Sequence, residues 1–155
     1  KAADSPLRAL NDAGDGSTYS ELHSKLHPRA KFFVEERGYY DFFLISPDGD
    51  VLYTVEKEAD FASNLQASEW LDSGLAGVFS RAREQQTSDA VVTSDMRSDA
   101  PSAGAPAIFM AKRLLAETGE FLGVVVLQLP KYLIGRRCGW AECDSHETPQ
   151  PTEFA

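Results

Sequence analysis

The sequence predicts an α+β fold: a five-stranded antiparallel sheet with a long N-terminal helix and a helical insert between strands 2 and 3. Three observations carry this. A helical segment, Tyr19 to Arg37, leads the chain. A tight hairpin follows, Tyr39 to Ser46 and Val51 to Lys57 around the turn Pro47-Asp48-Gly49-Asp50. Three further strand-like runs come after a stretch, Glu58 to Gln86, whose apolar residues fall at helical or irregular spacings. Antiparallel hairpins with helices grouped apart give α+β rather than a parallel sheet.

Taken in order, residues 1–18 are poor in apolar groups and hold Gly14, Asp15, Gly16 and Ser17. They read as a loose leader, with a helical turn around Leu7 to Leu10. In the helix, Leu22, Leu26, Ala30 and Phe33 lie roughly on one face, Ser17 or Thr18 caps the start, and Gly38 stops it. Pro28 deletes a backbone donor and clashes with the preceding turn, so a kink or break is expected near His27-Pro28. The second hairpin strand alternates, with Val51, Tyr53, Val55 and Lys57 on one face and Leu52, Thr54 and Glu56 on the other. The insert reads as a loop with a short helix, then a helix from about Ser73 to Glu84. Asp89 to Ser94 is a short strand, Asp95 to Gly104 a loop, and Ala105 to Leu115 and Phe121 to Leu129 two strands around a Glu-Thr-Gly-Glu turn. After Pro130 the apolar pattern fades, and residues 131–155 read as a tail or connector. In this PAS-like plan one sheet face packs the leading helix. The other face and the insert wall a pocket, the ordinary place for a ligand.

The chain of 155 residues suits a single domain, and 43% hydrophobic residues suffice for a core. Lys plus Arg number 15 and Asp plus Glu 24, giving a net charge of −9. With a pI near 4.7, nothing offsets phosphate repulsion, which argues against nucleic acid and against anionic lipid as partners. No stretch approaches the roughly 18–20 unbroken apolar residues of a membrane span. The chain starts at Lys1 without Met and is read as a processed or trimmed piece, leaving room for a removed signal or anchor. Both cysteines, Cys138 and Cys143, lie in the tail, so no disulfide framework holds the core.

Candidate chemistry is sparse. His23 and His27 stand at i, i+4, a metal-ligand spacing, but no third ligand is implied, and helix-packing imidazoles explain them as well. Cys138, Cys143 and His146 make a weak Cys/His cluster with no second pair. No nucleophile elbow, P-loop or dinucleotide glycine motif occurs. Asp41, Asp60, Asp95 and Asp99 are conceivable as paired carboxylates, but acid–base work needs one held in an apolar setting, and caps and turns explain them too. No cofactor is implied.

The run Gly38-Tyr39-Tyr40-Asp41-Phe42-Phe43-Leu44-Ile45 resembles the first strand of the Cache, or PAS-like, extracytoplasmic sensor domains of bacterial chemoreceptors, histidine kinases and related receptors. Gly49 to Leu65 is similar to their second strand and the segment after it. Asp95, Ala100-Pro101-Ser102 and Ala105-Pro106-Ala107 resemble the loop and fourth strand, and Gly123 to Pro130 the last strand. The resemblance spans about Tyr19 to Pro130. It departs at Glu56, where the family has an aromatic, and at Met96 and Asp99, where it often has a Phe and a Tyr. Gly139-Trp140-Ala141-Glu142 resembles the connector to a second lobe, with nothing recognisable following.

The resemblance implies a non-enzymatic sensor module on the periplasmic or extracellular side of an inner-membrane receptor, a small-molecule ligand, and a homodimer as one arrangement. The shared hairpin face turns Tyr53 and Lys57 toward the pocket, Lys57 pairing with a ligand carboxylate; Tyr53 as core, and Lys57 paired with Glu58 or Asp60 on the surface, are the other readings. Asp95 accepts from a ligand amine, and Phe61 and Phe109 supply apolar walls, with Asn64 and Arg81 as weaker candidates. Two other readings stand beside it: a dimerisation or spacer module whose pocket is filled by its own side chains, and a small acidic enzyme using its Asp residues.

Overall fold

The computed structural model describes residues 6–87 and 89–130. Pro6–Ala9 forms a 3-10 turn, where a turn around Leu7 to Leu10 is expected. Helix α1 spans Thr18–Arg37, capped by Ser17, whose side chain accepts from Ser20 N, and closed by Gly38 in the left-handed region. The helix does not break at Pro28. Pro28 lies on the exposed side, where water replaces the lost backbone bond at little cost.

The buried face of α1 is not the expected one. Ser20, His23, His27, Ala30 and Val34 are buried, whereas Leu22 is 61% and Phe33 38% exposed. The i, i+3, i+4 spacing is right, but two imidazoles and a hydroxyl occupy the inner positions. An apolar count does not register them, although His27 finds partners for both ring nitrogens inside.

Strand β1 is Asp41–Ile45 and β2 is Val51–Thr54. Leu44 pairs with Tyr53 but Ile45 pairs with Val51, so Leu52 is a β-bulge. The bulge overturns the expected alternation. Val51 turns into the core with Phe43 and Ile45, whereas Tyr53 and Val55 pack with Ala30 and Val34 of α1. From Glu58 to Ser73 there is no short helix. Successive turns carry the chain, with Phe61 N donating to Glu58 O and Trp70 N to Ala67 O. The segment also runs beside β2, where Ala62 N donates to Val51 O and Val51 N to Ser63 O.

Helix α2 spans Gly74–Arg83, capped by Ser73. Strands β3 (Val91–Thr93), β5 (Ala105–Leu115) and β6 (Phe121–Pro130) follow the expected order. The loop between β3 and β5 holds an unexpected short strand, β4 (Arg97–Asp99), paired with β5. The sheet order is β2-β1-β6-β5-β3, with every pair antiparallel. One face packs α1. The other packs α2, whose Phe79 lies over Phe43, Ile45, Phe109, Val124 and Val126. The tail calls for attention only as sequence: 131–155, with Cys138, Cys143 and His146, lies outside the described residues.

One close approach locks the sheet's centre. Gly123 has φ 140°, and a Cβ there would stand 2.1 Å from the Ile45 carbonyl oxygen. Gly119 also has positive φ but nothing near it. Gly123→Ala is expected to lose about 3 kcal/mol in urea unfolding, and Gly119→Ala only about 1 kcal/mol. Equal losses would show that the β1–β6 approach does not matter.

Candidate ligand site

The site grows from the start of β1. Asp41, Phe43 and Ile45 alternate inward, so period-2 geometry puts a carboxylate on the α2 face of the sheet. Asp41 is fully buried. Its Oδ1 accepts from Phe42 N (2.6 Å), Val55 N (2.8 Å) and Glu56 N (3.2 Å). Taking the Val55 and Glu56 amides out of the ladder ends β2 and turns the chain into the insert. Its Oδ2 has no partner. Burial pushes this carboxyl well above the ordinary range, against the pull of the three amides, and the Asp60 charge pushes the same way.

The charge of Asp60 acts on Asp41, and those of Asp99 and Glu58 act on Asp60 in turn. Asp60 is 3% exposed, its Oδ1 lacks a partner, and burial, with Asp99 and Glu58 behind it, pushes its pKa up to about 7. Ser102 binds the other two. Its Oγ lies 2.7 Å from Asp99 Oδ2 and 2.9 Å from Glu58 Oε2, while Gln128 Nε2 donates to it at 2.9 Å. One hydroxyl proton serves two carboxylates, so the cluster is short of protons. The Tyr40 hydroxyl donates to Glu58 Oε1 at 2.7 Å, and burial first, then Glu58, holds its own proton on well above the ordinary phenol value. Gln128 pairs with Asp41 across β1 and β6, tying the cluster to the sheet.

Burial favours the protonated form of Asp41 and Asp60; once ionised, they would be buried acceptors short of donors, the state that a positively charged group with several N–H bonds would compensate. Among the described residues no three His, Cys, Asp or Glu are arranged to hold a metal ion.

The five residues singled out from sequence are not brought together. Tyr53 and Lys57 do point the same way, but toward α1. Lys57 Nζ stands 5.4 Å from the Tyr53 ring centroid and 3.3 Å from His27 Nδ1, and is buried. The bulge at Leu52 is the cause. Phe109 is in the α2-face core, edge-on to Phe43 with centroids 6.3 Å apart. Phe61 is half-buried beside Asp60, and Asp95 is exposed between β3 and β4. Asn64 donates to Asp50 Oδ1 and Asp48 O, and Arg81 to Thr93 O, both at exposed positions. Asp41, Asp60 and Asp99, weighed from sequence as carboxylates, do converge. Glu58, Ser102, Gln128 and Tyr40 carried no signal, since only the fold makes them neighbours.

No family model matches the chain, and no curated protein sequence does. In three dimensions it is similar to the sensor domain of the V. cholerae histidine kinase DctB, with a TM-score of 0.58 and 15% identity over 79% of this chain and 42% of that one. It is similar to the sensory domain of the Campylobacter jejuni chemoreceptor Tlp3, with a TM-score of 0.54 and 15% identity over 77% and 45%. It is also similar to the ligand binding domain of the Pseudomonas aeruginosa PAO1 amino acid chemoreceptor PctC in complex with GABA, with a TM-score of 0.51 and 15% identity over 92% and 55%. The chain spans less than two thirds of each of these domains. Its fold is the one these sensor domains of a histidine kinase and two chemoreceptors share.

A carboxyl with a raised folded pKa holds its proton more tightly folded than unfolded. It therefore costs stability as pH rises from the ordinary 3.8 through about 7. Asp60→Asn is expected to be more stable than the parent above about pH 7.5, by roughly 1–4 kcal/mol, and equal to it near pH 4. Urea unfolding at both pH values checks this, and an unchanged pH slope would contradict it.

Proposed function

We propose that this chain is the ligand-sensing module of a membrane receptor, facing the periplasm or exterior, with residues 19–130 as the sensing unit. It binds a small polar metabolite through an amine and does no chemistry on it. The observation that carries this is the pair of buried carboxylate oxygens without partners, Asp41 Oδ2 and Asp60 Oδ1, in a cluster short of protons. An ammonium group supplies three donors and a compensating charge to such a cluster. Binding between the sheet and the insert favours the arrangement of strands and helices that closes on the ligand. The equilibrium shifts by the difference in affinity between the two arrangements.

The alternative, a dimerisation or spacer module filled by its own side chains, is favoured by the packing of Phe79 of α2 with Phe43 and Phe109 of the sheet. The two readings differ in whether anything binds.

Calorimetry and thermal unfolding of the whole chain against alkylamines, diamines, amino acids and dicarboxylates separate them. Amines are expected to stabilise the chain, by about 2.7 kcal/mol at a hundred times Kd. Asp41→Asn and Asp60→Asn are each expected to weaken amine binding by about tenfold or more. Dicarboxylates binding in place of amines would overturn the amine assignment. No binding across the panel would favour the spacer.

A further inference from the structure

On the opposite face of the sheet, a second polar cluster is buried and plays no part in the proposed ligand site. His27 is fully buried. Its Nε2 lies 2.7 Å from the Arg8 carbonyl oxygen and its Nδ1 2.8 Å from the Tyr53 hydroxyl. A carbonyl only accepts, so Nε2 carries the hydrogen and Nδ1 is the acceptor. His23 stacks on His27 at 4.7 Å, and its Nδ1 donates to the Asn11 carbonyl oxygen at 2.8 Å. The two imidazoles thus hold two carbonyls of the leader, three residues apart in sequence, against α1. Residues 10–16 are otherwise exposed, so these bonds, together with the ion pairs of Arg8 to Glu35 and Glu56, form the seam.

We propose that His23 and His27 form a proton-released latch that holds the leader on α1 when His27 is neutral and frees it on acidification. A proton can enter His27 only at Nδ1. There it would oppose the Tyr53 O–H and stand 3.3 Å from Lys57 Nζ. The surrounding groups do not welcome a second charge. From β2 and its continuation come Tyr53, Lys57 and Glu56. From the leader comes Arg8, whose guanidinium is already paired with Glu56 (2.6 Å) and Glu35 (3.0 Å). From α1 come His23 and Lys31, both disfavouring a charge on His27. Asp41 acts from β1 on Lys57. Among the described residues no carboxylate hydrogen-bonds either ring.

The energetics run one way. Burial first, then Lys57, keeps His27 below the ordinary imidazole value of 6.5, outweighing the Arg8 carbonyl. A group whose pKa is depressed in the closed state contributes stability above 6.5 and loses it as pH falls below. The strain is relieved at least cost where the contact is thinnest. Peeling the leader admits water to the rings and leaves the two hydrophobic clusters packed.

Nuclear magnetic resonance of the whole chain at about pH 7.5 and about pH 5 tests the latch, reading backbone 15N–1H NOE for residues 6–17 and ring nitrogen shifts of both histidines. At the higher pH the leader is expected to be as rigid as α1, with His27 in the Nε2–H form. At the lower pH the leader is expected to lose its rigid values as Nδ1 takes up a proton, with α2 and β5 unchanged. His27→Gln keeps a donor for Arg8 O and cannot titrate, so its leader should stay rigid at both pH values. Should that variant not fold, the ring shifts of the parent decide. A leader rigid at both pH values, a leader freed equally in His27→Gln, or His27 protonated with the leader still rigid would each overturn the proposal.

Discussion

A single buried carboxylate joins the architecture of this domain to its chemistry. Asp41 sits where β1 begins, with one oxygen accepting three backbone amides and the other accepting none. The accepting oxygen decides where β2 stops and the insert departs. Without it the buried Val55 amide would lose its acceptor, at a cost of about 1–3 kcal/mol. The bare oxygen leaves an unmet demand for a donor beside the charge of Asp60, whose own Oδ1 is also bare. The group that shapes the entrance to the insert is therefore also the one that makes the site electrostatically incomplete.

The sheet separates two buried polar clusters of opposite character. On the α2 side, carboxylates compete for too few protons, and burial raises the pKa of both Asp41 and Asp60. On the α1 side, burial is the largest cause that lowers both His27 and Lys57, and Lys57 is brought down to about 8. The bulge at Leu52 sorts the side chains between them. Without that extra residue, Val51 and Tyr53 would share a face, and the two clusters would not be divided as they are.

Much of the fold was legible in the sequence because it rests on local signals. The cap at Ser17 or Thr18, the Gly38 stop, the hairpin turn and the apolar runs of β5 and β6 are each readable within a few residues. The inner face of α1 was not, because His23 and His27 count as polar while acting as core. The orientation of Tyr53 was lost to one inserted residue, which inverts everything before it on the strand. The Asp41 position was readable in retrospect from its period-2 phase with Phe43 and Ile45. The convergence of Asp60, Asp99, Ser102 and Gln128 was not, since they come from the insert, β4, the loop after it and β6. The resemblance to Cache-type sensors identified the fold, but its expected ligand contacts did not coincide with the cluster that burial assembles.

The account stands on the protonation of the α2-face carboxylates. Carbon-13 titration of the Asp41 and Asp60 carboxyl groups in the whole chain, with and without a small alkylamine, reads it directly. The account predicts that both hold their protons well above the ordinary 3.8 in the free domain, and that the amine drives both to the ionised form. Carboxyl groups that ionise in the ordinary range and ignore the amine would contradict it.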